Sequence, residues 1–167
     1  MSDLIVGAWG ARFRGRFFPC AIGRGGLVAA SAKREGDGAT PTGCYALLGG
    51  YWRADRLPRP ATHLPLRAIG PRDGWSDAPA DPAYNTAVTL PHRHSAERMA
   101  RADRLYDLVV FTDHNTPAVA GLGSAVFVHC WRSPRHPTAG CIAFRRDHLR
   151  WILARLGPRS RLVVRHA

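Results

Sequence analysis

Two short apolar runs, Leu-Val-Val-Phe at 108–111 and Val-Phe-Val at 126–128, constrain this fold more than any other feature. Each is unbroken and too short for an ordinary helix, so each predicts a buried strand. The second run delivers His129, and the turn Thr138-Ala139-Gly140-Cys141 then sets a thiol beside a glycine. A thiol is a useful nucleophile only as thiolate, and a nearby imidazole can take its proton. Gly140 lets a substrate approach the main chain, and the N–H of Cys141 with a neighbouring N–H suits a developing oxyanion. Two readings are open on these residues alone. One is a Cys–His acyl-transfer site. The other is a core strand ending in a polar turn, with Cys141 as a small buried hydrophobe.

The rest of the pattern is mostly β. Residues 11–22 carry Phe and Ile among arginines, with Gly15 as a hairpin turn and Pro19 as an edge or bulge signal. Residues 27–30, 44–48 and 162–164 read as further strands, and 36–43 as a rigid Gly/Thr/Pro loop. Residues 57–82 are rich in proline and polar side chains, which predicts a long lid-like loop, with Trp52, Trp75 and Tyr84 either contacting a ligand or sealing a satellite core. Ser95 as N-cap and Glu97 in the first turn predict a helix over 95–106. Leu149, Ile152, Leu153 and Leu156 predict an amphipathic helix stopped by Gly157-Pro158. The expectation is one β-rich α+β domain over 1–167, with two late helices.

Composition narrows the function. At 46% hydrophobic and 22% charged residues the chain can bury a core. No stretch is apolar for the ~20 residues that a bilayer crossing takes. The start does not read as a signal peptide, because Asp3 stands where a basic region belongs and Arg12, Arg14 and Arg16 interrupt the stretch after Ala8. The net charge of +12 is almost all arginine, Lys33 being the only lysine. Such a field attracts polyanions, but the arginines are scattered, so no nucleic-acid stripe is expected. Four cysteines are too few and too scattered for a disulfide framework; Cys20 and Cys44 read as buried thiols.

Three segments, in order, carry a resemblance. Lys33-Arg34-Glu35-Gly36-Asp37-Gly38-Ala39-Thr40-Pro41-Thr42-Gly43 is similar to a "KxxGDxxTPxG" loop. Trp75-Ser76-Asp77 with Pro82-Ala83-Tyr84-Asn85 is similar to a "W-x-D…YN" segment. Phe127-Val128-His129 with Thr138-Ala139-Gly140-Cys141-Ile142 is similar to a histidine strand and an "S-x-G-C-[IV]" nucleophile motif. Together the chain resembles the YkuD-type L,D-transpeptidase catalytic domain of bacterial cell-wall enzymes. The resemblance implies that family's mixed β-sheets. It also implies peptidoglycan stem peptides as partners, a place in the cell envelope or periplasm, and no metal or cofactor. It makes Cys141 the nucleophile, His129 the base and then the acid, and the carbonyl of Gly140 or a neighbour the group that orients the imidazole.

The chain departs from the family at two positions. Ala139 and Ala143 stand where many members have histidine and arginine, and only eleven residues separate His129 from Cys141. The departures open two donor bonds, the one after the L-centre at stem position 3 and the one after L-Ala at position 1. Water as acceptor would make a carboxypeptidase or endopeptidase instead. Trp131, Arg132, His114, Tyr84 and Asn85 are candidates to contact substrate, and Thr138 either does so or supports the Gly140 turn. His92 and His94 read as solvated. The rival reading from another class is a zinc module using His129, Cys130, His136 and Cys141, although no tight C-x-x-C spacing is present.

Overall fold

A computed structural model describes residues 2–166. In chain order its strands are β1 (Leu4–Gly7), β2 (Gly10–Phe13), β3 (Arg16–Phe18), β4 (Cys20–Ala21), β5 (Leu27–Ala29), β6 (Thr40–Trp52) and β7 (Leu66–Ala68). They continue with β8 (Asp73–Ser76), β9 (Ala87–Thr89), β10 (Ala96–Arg98), β11 (Leu108–Thr112), β12 (Phe127–Cys130) and β13 (Ile142–Phe144). Helix α1 (Arg146–Leu153) and strand β14 (Arg161–Val164) complete the chain order.

The long strand β6 organises the molecule. Its residues 43–46 pair with β14 and its residues 47–52 with β11, so one strand joins the two halves of an eleven-stranded sheet. The sheet order is β3-β2-β1-β14-β6-β11-β12-β13-β4, with β5 and β7 also paired to β6. It is mixed: β1 lies parallel to β14 and β12 parallel to β13, while β11 is antiparallel to both its neighbours. Gly50 makes the central crossing possible, because a Cβ there would stand 2.0 Å from the Val109 carbonyl oxygen. Arg14 and Gly15, with φ of 47° and 73°, form the primed two-residue turn that a tight hairpin between β2 and β3 requires.

Alternation along β11, β12 and β13 builds two cores on opposite faces. Leu108, Val110, Val128, Cys130, Ile142 and Phe144 enter the larger one, where Leu149, Ile152 and Leu153 of α1 cover them. Val109 and Phe127 enter the smaller one with Met99 and Tyr106. Each fully buried Leu, Ile or Phe side chain is worth about 1.5–3 kcal/mol of transfer free energy.

Several expectations are corrected. Residues 95–106 form no helix. Residues 96–98 become β10, which pairs with β8, and the Met99 N–H donates to the Asp73 carbonyl at 2.9 Å. Helix propensity is a weak preference that tertiary strand pairing overrides, and Met99 and Tyr106 still reach one core, from turns rather than a helical stripe. One α-helix is therefore present among the described residues, α1, which begins three residues before its apolar pattern does. The 57–82 segment is not a free lid: β7 and β8 lie within it. Trp75 seals the smaller core, its ring 4.7 Å from that of Phe111 and 4.9 Å from that of Phe127. Cys20 is buried, but Cys44 is exposed because β6 turns Tyr45, not Cys44, inward. His92 is not simply solvated; its Nε2 lies 2.6 Å from Asp81 Oδ2.

Candidate active site

Strand pairing puts the thiol and the imidazole on one side of the sheet. Val128 opposes Ile142 and His129 opposes Ala143 in the parallel pair β12–β13. Side chains in register share a face, and residues two apart share it again, so His129, Phe127, Ala143 and Cys141 all point to the smaller-core side. Cys141 immediately precedes β13; the Phe127 N–H donates to its Sγ at 3.4 Å, and the thiol donates to the Ala125 carbonyl at 3.0 Å. Cys141 and His129 line one cleft of about 480 Å³ with Arg24, Lys33, Glu97 and Arg101. The short spacing between the two residues is thus the length of one parallel crossover.

Electrostatics leave this pair neutral at rest. Burial, opposed by the Phe127 N–H and by Lys33, pushes the Cys141 thiol up to about 12, and Glu97 adds to the rise. Burial pulls His129 down to about 4, with the Arg101 charge acting in the same direction. His129 Nδ1 lies 2.7 Å from the Cys130 carbonyl oxygen and donates to it, which leaves Nε2 as the proton acceptor. The orienting carbonyl is therefore that of Cys130. The Gly140 carbonyl, which with its neighbours was expected in that role, accepts instead from the Thr40 hydroxyl at 2.8 Å. Tyr106 stacks edge-on against His129 with ring centroids 5.4 Å apart, holding the ring plane.

The turn before Cys141 is braced from the 33–43 loop. Gly140 has φ +145°, and a Cβ there would stand 2.9 Å from the Ala39 carbonyl oxygen, so only glycine fits. Thr40 also accepts from the Gly23 N–H at 2.8 Å, tying three segments together. Thr138 closes the turn: its hydroxyl accepts from the Gly140 N–H at 3.1 Å and donates to the Cys141 carbonyl at 2.6 Å. The Gly140 N–H is thereby engaged, so the Cys141 N–H is the donor of this turn that can face an oxyanion.

The other sequence candidates divide. Trp131, Arg132 and Thr138 line the cleft. Tyr84, Asn85 and His114 stand behind its wall. Asn85 donates to the carbonyls of His114 and Asn115 at 3.1 Å each and accepts from Trp75 Nε1 at 3.1 Å and the Ala125 N–H at 3.0 Å. It fixes the segment that holds Cys141 Sγ. The Tyr84 hydroxyl donates to Glu35, and His114 Nε2 lies 3.1 Å from the Leu122 carbonyl oxygen. Of the four residues of the zinc reading, Cys130 faces the larger core while His129, His136 and Cys141 line the cleft, and among the described residues no group of three or more His, Cys, Asp or Glu is placed to hold a metal ion. Sequence reasoning missed Lys33, Glu97, Arg101 and Tyr106 as neighbours of the pair. Only Lys33, the lone lysine, carried a signal that could have marked it.

Among the described residues, no helix is long and apolar enough to cross a membrane. Searches of curated proteins and of solved structures return no match. A family model for the YkuD L,D-transpeptidase catalytic domain matches residues 11–164, which include both sides of the cleft and the eleven-stranded sheet except β1 and the first residue of β2. The chain belongs to the YkuD family of L,D-transpeptidase catalytic domains.

Proposed function

We propose that this domain is a cysteine acyltransferase that joins peptidoglycan stem peptides. The observation that carries the reading is the placement of His129, on β12, and Cys141, immediately before the parallel β13, in one cleft on one side of the sheet. A donor peptide in the cleft places an L-centred carbonyl beside Cys141 Sγ. His129 Nε2 takes the thiol proton as sulfur attacks, and the Cys141 N–H faces the oxyanion. The protonated imidazole then gives its proton to the leaving amine, and a thioester remains. An amine from a second stem attacks that thioester, with His129 again accepting a proton, and the thiol is restored. These steps only move protons and an acyl group, and each is assigned to a named side chain or N–H.

The donor centre is that of stem position 3 or position 1. Ala143, paired with His129 and lining the cleft, stands where the resemblance leads one to expect arginine, and that departure supports an altered donor pocket. The test is incubation of native protein and Cys141→Ala with purified muropeptides, followed by mass spectrometry of the products. Crosslinked dimers made only with Cys141 present are expected, and their connectivity separates 3→3 from 1→3. Shortened stems without dimers would replace the transferase by a hydrolase. No turnover and no Cys141 adduct would sink the acyl-transfer reading.

A further inference from the structure

The only lysine of the chain is 3% exposed and lines the cleft. Burying an ammonium is costly unless it is paired and hydrogen-bonded. Lys33 Nζ pairs with Asp37 Oδ1 and donates to the Arg34 carbonyl at 3.2 Å. Asp37 is itself fixed by the N–H groups of Arg34 and Ala39, each at 2.8 Å. An ammonium has three donors, and these contacts take two. Two glycines make the slot. A Cβ on Gly123 would stand 2.9 Å from Lys33 Cε, and a Cβ on Gly140 would stand 3.6 Å from Lys33 Nζ. The charge therefore sits beneath the residue that precedes Cys141. A compact ammonium fits a slot walled by two glycines where the broad guanidinium of the other basic residues does not.

We propose that Lys33 is the electrostatic partner of the Cys141 sulfur, its ammonium facing the negative charge left there when the thiol proton passes to His129. The inference rests on Cys141 being the nucleophile. The step moves one proton from Sγ to Nε2 and needs no other reactant. Burial opposes the resulting ion pair at both ends, so a fixed cation beside the sulfur is what the step requires. The other charged or titratable groups around the sulfur are Glu97, which opposes the thiolate, Tyr106 and His129. Glu35, Asp77, Arg24, Arg101, Arg132 and His136 stand on the cleft walls. Asp37 and His114 face Lys33 itself. Lys33 acts through the sulfur's charge rather than by bonding to substrate, so it is a positioning residue.

The test reads the thiol without asking for turnover. In a Cys44→Ser background, which removes the exposed thiol, the rate of iodoacetamide addition to Cys141 is followed against pH by peptide mass. Lys33→Met is expected to slow addition by about tenfold across pH 7–9, where the thiolate is a minor species and the rate follows its population. A folded Lys33→Met protein with an unmoved profile would overturn the inference. If that variant does not fold, Asp37→Asn decides. Removing the anion that offsets Lys33 should speed addition by about threefold, and an unchanged or slower rate counts against the idea. A Lys33-dependent profile in a protein that makes no crosslinked product would leave this inference standing and remove the transpeptidase. A Cys141 inert at every pH would remove both.

Discussion

The two faces of strands β11–β13 are built from the same short apolar runs, yet they differ in kind. One face meets α1 and packs Leu108, Val110, Val128, Cys130, Ile142 and Phe144 against Leu149, Ile152 and Leu153. The other meets Met99, Tyr106 and Trp75, and at its open rim stand His129 and Cys141. Cys130 and Cys141 make the contrast sharp. Burial pushes both thiols up to about 12. Cys130 is sealed in the larger core, whereas Cys141 opens on a cleft that also holds an imidazole and an ammonium. Burial alone does not separate a structural thiol from a nucleophile. Access and a proton acceptor do.

Exchanging the two thiols for alanine tests the contrast most severely. Cys141→Ala should lower crosslink formation by about a thousandfold or more with little change in melting temperature. Cys130→Ala should keep activity and lower stability by about 1–3 kcal/mol in urea. The reverse pattern would break the division of the two faces.

Truncation of the larger core comes next. Phe144→Ala removes a fully buried ring and should cost about 3–5 kcal/mol, read by urea unfolding. A loss below about 1 kcal/mol would mean that this face is not the packed one.

The smaller-core face should reveal itself through acid sensitivity. Folded His129 titrates at about 4, below the ordinary value of 6.5. Between those values the unfolded chain binds the extra proton, so stability falls as pH falls from 6.5 to 4, by about 3 kcal/mol. Below about 4 this contribution changes no further. His129→Gln should flatten the urea midpoint against pH across that window, and a slope identical to that of the native protein would be the contrary result.

The smallest effect expected is at the brace behind the cleft. Asn85→Ala leaves the His114 and Asn115 carbonyls without their amide partner and should cost about 1–3 kcal/mol. Because Asn85 also holds Ala125, whose carbonyl accepts from the Cys141 thiol, iodoacetamide reactivity should change with it. Stability loss with unaltered reactivity would separate the brace from the site.

Much of the strand pattern was legible in the chain. Residues 108–111, 126–128 and 162–164 read as strands because unbroken apolar runs admit few other solutions, and Gly15 read as a hairpin turn because its neighbours alternate. That His129 and Cys141 deserved attention was legible because a thiol beside glycine and a histidine at a strand end are chemically uncommon, and the structure lines one cleft with both. The 95–106 segment misled because its cap and apolar spacing are local signals, while the pairing that decides it comes from β8. Tyr84 and Asn85 read as substrate contacts because polar and aromatic residues in a loop look alike whether they touch a ligand or brace a wall.

The apolar periodicity, the glycine before Cys141 and the residue types of the proposed acyl-transfer pair are written in the chain alone. Those depend on local sterics and on the chemistry of single side chains. Tertiary structure decided which carbonyl orients His129, which thiol faces the cleft, and that Lys33, 108 residues before Cys141, lies beneath its turn. These depend on strand register, and a shift of one residue in β12 or β13 would send the imidazole or the thiol to the opposite face.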